Sequence, residues 1–75
     1  MTESARDTAP WLQTVSDAIG VPTPADQATL LDLTREIAHG VERKAGPLTL
    51  YLLASAVARG GDRAALTARI RDLLG

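Results

Sequence analysis

Apolar residues recur along this chain at spacings of three and four in four separate runs, the period of helices that bury one face. The first run is Trp11, Leu12, Val15, Ala18 and Ile19. Thr8 reads as its N-cap, Ala9-Pro10 as its opening and Gly20 as its stop, which predicts a helix over 9–19. The second run is Leu30, Leu33, Ile37 and Val41, with Leu31 beside it, after the start signal Thr23-Pro24-Ala25-Asp26. Val41 falls four after Ile37, so the stripe survives Gly40 and predicts a helix over 24–43. Gly40 then lies on or beside the buried face, where a missing side chain lets a neighbouring helix come close. Lys44-Ala45-Gly46 reads as a tight turn and Pro47 as the opening of a third helix over 47–59. Leu48, Leu50, Tyr51, Leu52, Leu53, Ala54, Ala56, Val57 and Ala58 leave that helix almost no polar face, so it is expected to be central and enclosed on all sides. Arg59-Gly60-Gly61 closes it. Asp62 caps a last helix over 63–74, with Leu66, Ile70, Leu73 and Leu74 inward and Arg63, Arg69, Arg71 and Asp72 mostly toward solvent.

Four helices joined by short loops predict an all-α fold, a compact antiparallel four-helix domain over 8–75 behind a disordered tail at 1–7. Leu48–Leu53 is not read as a strand, because it lies inside a longer apolar run headed by Pro47. A chain of 75 residues holds one domain and buries only about 60–65% of its unfolded surface. Phe is absent, and Trp11 and Tyr51 are the only aromatics, each expected to be a core residue with its polar tip at the surface. The core is therefore expected to be Leu, Ala, Val and Ile.

A net charge of −1 gives no overall attraction to nucleic acid or anionic membranes. With no cysteine, disulfides, thiolate metal sites and cysteine nucleophiles are excluded. The first ten residues have neither a basic nor an apolar region of signal-peptide type, and the longest apolar tract, 47–58, is shorter than the ~20 residues a bilayer span needs. A cytoplasmic location is expected, with no membrane and no nucleic-acid partner.

Candidate chemistry gathers in one corner. His39 and Arg43 are four apart and share a helix face, Lys44 follows, and Thr49 brings a hydroxyl to the start of the third helix. Backbone N–H groups of Leu48, Thr49 and Leu50 are expected to be free there, at the positive end of the helix dipole. His39, Arg43, Lys44 and Thr49 thus form a candidate site for a phosphate or carboxylate, with Gly40, Gly46 and Pro47 shaping the turn. In the other reading the cations only complement the negative end of the second helix. Glu36 and Glu42 flank His39 at three residues, but without a second His no metal site is expected. No nucleophile is paired with His39 as a base, so no catalytic residue is assigned and no cofactor is expected. The segment from the third helix through Arg59–Arg63 into the fourth has helix-turn-helix form, but the last helix lacks Asn and Gln to read base edges. Ser4, Ser16 and Ser55 do not sit in a carrier-protein attachment sequence.

Leu30-Leu31-Asp32-Leu33, Ala38-His39-Gly40-Val41, Arg43, Pro47-Leu48-Thr49 and Leu52-Leu53 together resemble a known family. It is the small actinobacterial domain of unknown function that occurs alone or fused to molybdenum-cofactor guanylyltransferase-like proteins. That family carries an early Trp, matched by Trp11, and a central Ala-His-Gly-Val-x-Arg-Pro-x-x-Pro-Leu-Thr signature. The likeness spans roughly residues 10–60 and departs at Lys44, where the family has Pro. It implies a setting in molybdenum-cofactor maturation, with a guanylyltransferase-like protein as partner, and no mechanism. Two functions are carried forward: a non-catalytic accessory domain using the corner, and a self-associating helical module, monomer or homodimer, whose apolar third helix meets a twin.

Overall fold

The described residues, 7–75 of a computed structural model, form four α-helices and no strand. These are α1 (Thr8–Ile19), α2 (Gln27–Gly40), α3 (Ala45–Ala58) and α4 (Arg63–Leu74). The expected tail lies, but for Asp7, outside the described residues; Asp7 is extended and stands at the N-cap position of α1.

Two cross-links set the direction of the helices. Arg63 at the start of α4 donates to the Asp26 carboxylate before α2 at 2.6 Å, and Arg71 near the end of α4 pairs with Glu36 near the end of α2 at 2.9 Å. The helices α2 and α4 therefore run parallel, and α3 returns between their opposite ends. These pairs are about half exposed and solvent screens them, so they fix register more than stability. The hydrogen bond from Arg71 to Glu36, and then the carboxylate's charge, raise the Arg71 pKa above its ordinary value. What that pair contributes is present in full below the usual arginine pKa, and thus across the whole physiological range.

The core is small. Among the described residues Leu33, Ile37 and Leu53 are the buried apolar ones, with Ala45, Leu50, Val57, Leu66, Ile70 and Leu74 packed around them. No α1 residue is buried, and the α1 backbone approaches no other helix closely. The domain is thus a three-helix core with a fourth helix beside it.

Several boundaries move for identifiable reasons. Asp26 takes the N-cap position of α2, yet its carboxylate is committed to Arg63 and caps nothing, so α2 begins at Gln27 and not at Pro24. At the other end α2 stops at Gly40, because Val41 turns out of the helix at φ −124°, ψ −85°. Val41 therefore leaves the stripe and lies exposed. The turn is residues 41–44, and α3 opens two residues before Pro47 because Lys44 is already helical and Ala45 is the best of helix formers. Pro47 sits in the first turn, where a missing N–H breaks no intrahelical bond.

The closest approaches fall where glycines stand. A Cβ on Gly40 would lie 3.1 Å from the Leu74 Cδ2, so α4 does come close at that point, as the sequence suggests. On Gly46 it would lie 2.9 Å from the Thr34 methyl. Asp62 caps α4 as expected, its carboxylate accepting from the Ala65 N–H at 2.8 Å. Asp62→Ala should cost about 1 kcal/mol of stability, within the usual 0.5–2, read as a shifted urea midpoint.

Candidate functional site

The expected site residues sit around the α2–α3 turn, but they do not close on one point. His39 is in the last turn of α2, Arg43 and Lys44 are in the turn itself, and all three are exposed. The Lys44 Nζ lies 3.7 Å from Glu42, while His39 and Arg43 have no ion-pair partner among the described residues. Thr49 is half-buried and faces a groove on the neighbouring surface.

Because α3 opens at Ala45, the backbone donors are arranged differently from the expectation. The Ala45 N–H donates to the Glu42 carbonyl at 3.0 Å and the Gly46 N–H to the Arg43 carbonyl at 3.2 Å. Pro47 has no N–H. Thr49 and Leu50 lie past the first turn, where N–H groups belong to the helix ladder. The corner therefore presents an anion with side-chain cations and very little backbone.

Sequence reasoning expected α3 to be enclosed all round. Instead Leu48, Tyr51 and Leu52 are exposed, Tyr51 at 72%, because α2 and α4 cover only one side of α3 and α1 covers none. Tyr51 is thus a surface residue, and Trp11 is nearly half exposed. Leu73, expected in the α4 stripe, is 88% exposed. An apolar helix period shows which face is largest, but not whether enough neighbours exist to cover it.

Between α3 and α4 this shortage opens a groove of about 440 Å³. Ile37 and Leu53 reach it from the core, Leu52 and Ala56 line the α3 side, and Leu66, Ile70 and Leu73 line the α4 side. Among the described residues Arg69 is the one charged residue along it. Sequence reasoning had no separate signal for this groove, since each of its residues also reads as core.

A second, polar depression of about 550 Å³ lies against α4, with Asp26, Arg63, Thr67, Arg71 and Asp72 in its lining. Its two guanidiniums are matched by two carboxylates, so it offers no net charge to an ionic ligand. Around His39 the flanking carboxylates are turned elsewhere, Glu36 to Arg71 and Glu42 to Lys44. Among the described residues no group of three or more His, Asp or Glu is placed to hold a metal ion. No helix among them is long and apolar enough to cross a membrane.

These features define a small all-α domain whose accessible chemistry is an apolar groove, an apolar helix face and a basic turn. The chain belongs to the family DUF6457, a domain of unknown function, whose family model matches residues 3–75. No curated protein and no solved structure matches the chain.

Proposed function

We propose that this is a non-catalytic accessory domain that acts by contact, through the α2–α3 corner and the outward face of α3. The observation that carries this reading is the exposure of Leu48 and Tyr51 immediately after the basic turn of Arg43 and Lys44. Apolar and aromatic anchors beside arginine are the composition that protein interfaces favour over the rest of a surface. The setting, taken from the resemblance described above, is cytoplasmic molybdenum-cofactor maturation. There the partner is a guanylyltransferase-like protein, or the phosphorylated ligand that such a protein holds. His39, Arg43 and Lys44 supply the positive charge toward either.

Titration calorimetry with pyrophosphate, GTP and a pterin phosphate tests the ligand arm. Arg43→Ala should weaken binding about tenfold, the worth of one charge-assisted hydrogen bond. Absent binding, or binding unchanged by that substitution, removes the ligand. Co-purification from the native cell tests the protein arm, and recovery of nothing from cofactor assembly removes that setting.

A second reading, the self-associating module, is favoured by the α3–α4 groove together with an α1 that packs on no other helix. A clean monomer in sedimentation at micromolar concentration removes it.

A further inference from the structure

We propose that the polar depression against α4 binds a small neutral ligand with hydroxyls on adjacent carbons, a monosaccharide or the ribose of a nucleoside. The site is separate from the α2–α3 corner and does not depend on the function proposed for that corner. Its volume, about 550 Å³, lies in the ~300–1,000 Å³ range of small-ligand sites.

The observation that carries the proposal is Thr67. It lines the depression, yet it is only 6% exposed, and among the described residues it is the one buried polar side chain. The hydroxyls of Thr14, Thr34 and Ser55 each donate to the carbonyl four residues back in their own helix. The Thr67 hydroxyl makes no such bond, and no other, among the described residues. A buried hydroxyl is rarely left in that state, because the water it gives up on folding has to be replaced. A ligand reaches it from the depression that Thr67 lines.

The groups around Thr67 define the ligand. Arg63 and Arg71 stand four residues before and after it, so the three share one face of α4 over about 12 Å. Each guanidinium keeps open donors: Arg63 uses only its Nη2 on Asp26, and Arg71 uses Nε and Nη2 on Glu36. On the accepting side Asp26 keeps its Oδ2, and the Asp72 carboxylate is unpaired among the described residues. Donors and acceptors therefore lie side by side with charges that cancel, which gives no net pull on a phosphate or an ammonium group. A hydroxyl both donates and accepts. Two of them on adjacent carbons can accept from a guanidinium and donate to a carboxylate or to Thr67 without bringing a charge. Ala64 and Ala68 add an apolar wall for the C–H face of a sugar ring.

Amide NMR of the full chain, titrated with ribose, adenosine, 2′-deoxyadenosine and inorganic phosphate, tests this. Ribose or adenosine should shift the amides of Thr29, Ala64, Thr67 and Ala68 and saturate. Saturation with ribose marks a free sugar as the source, and saturation with adenosine alone marks a nucleoside. In the nucleoside case 2′-deoxyadenosine, with one hydroxyl of the pair removed, should bind about five- to tenfold more weakly. Thr67→Val keeps the shape of the side chain and removes the hydroxyl, and should weaken binding by the same factor. Its urea midpoint should not fall, because the hydroxyl bonds nothing else in the protein. Arg43→Ala, in the corner, should leave the titration unchanged. No saturable shift with ribose or adenosine overturns the site, as does phosphate saturating these amides in their place. Binding that Thr67→Val leaves unchanged overturns it too, since the hydroxyl then meets only water. So does a lowered urea midpoint for that variant, which would give the hydroxyl a partner inside the fold.

Discussion

Leu33→Ala should lower the unfolding free energy by about 2–5 kcal/mol, the range for removing a leucine side chain from a core that does not collapse around the gap. Leu33 has no exposed surface at all, and among the described residues Ile37 and Leu53 are the other buried apolar side chains, with six partly buried ones packed around them. A domain of 75 residues is expected to hold about 4–11 kcal/mol in total, so this one truncation removes a large part of it. Leu31, two residues away and 62% exposed, is the natural control, and Leu31→Ala should move stability by no more than ~0.5 kcal/mol. Urea unfolding at one fixed protein concentration checks both, because association would make the apparent stability depend on concentration. Equal effects at the two positions would mean that the core lies elsewhere.

The number and order of the helices were legible because each has its own stripe and its own breaker: Gly20, the region of Gly40 to Gly46, and Gly60-Gly61. The limits of α2 were less legible, because both ends depend on partners that are distant in sequence. Asp26 looks like a first-turn acid until Arg63, 37 residues on, claims its carboxylate. Val41 looks like the next step of a stripe until the chain leaves the helix one residue earlier. The enclosure of α3 was overestimated for a different reason. Periodicity records how apolar a face is, and whether that face is covered depends on how many helices pack, here three and not four.

The candidate site was legible as a neighbourhood and not as a pocket. His39, Arg43 and Lys44 are near one another because they are near in sequence, and no tertiary contact gathers them around a bound group. What folding adds is the setting beside them, an apolar surface running from Leu48 and Tyr51 round to the groove at Thr49 and Leu52. That surface follows from the same shortage of neighbours that keeps the core small. The small core and the exposed apolar surface are therefore one property of this fold: anything bound over α3 or the groove would also add to a core that three helices leave small.

Gly46→Val should destabilise the domain by about 3 kcal/mol, near the upper end of the usual cost of overpacking. Gly46 is buried, and a Cβ there would stand 2.9 Å from the Thr34 Cγ2 and 3.5 Å from the Thr34 carbonyl oxygen. Thr34 cannot swing aside freely: its hydroxyl donates to the Leu30 carbonyl at 2.8 Å, and a β-branched side chain in a helix has few rotamers to offer. Valine brings two methyls to a place already too tight for one. Gly40→Ala is the contrasting case. Its new methyl meets the Leu74 Cδ2 at 3.1 Å, the far end of a flexible side chain in the last turn of α4. Replacing a helical glycine by alanine also returns up to ~1 kcal/mol. The sum should lie close to zero, although both glycines belong to the same run of sequence. Thermal unfolding separates the two, since 1 kcal/mol shifts the midpoint of a domain this size by about 4–8 °C. Thr34→Ser, which removes the opposing methyl and keeps the hydroxyl, should recover part of the loss caused by Gly46→Val. If it recovers nothing, or if Gly40→Ala proves the more damaging change, then α3 does not lie against α2 at Gly46, and the corner has a different shape.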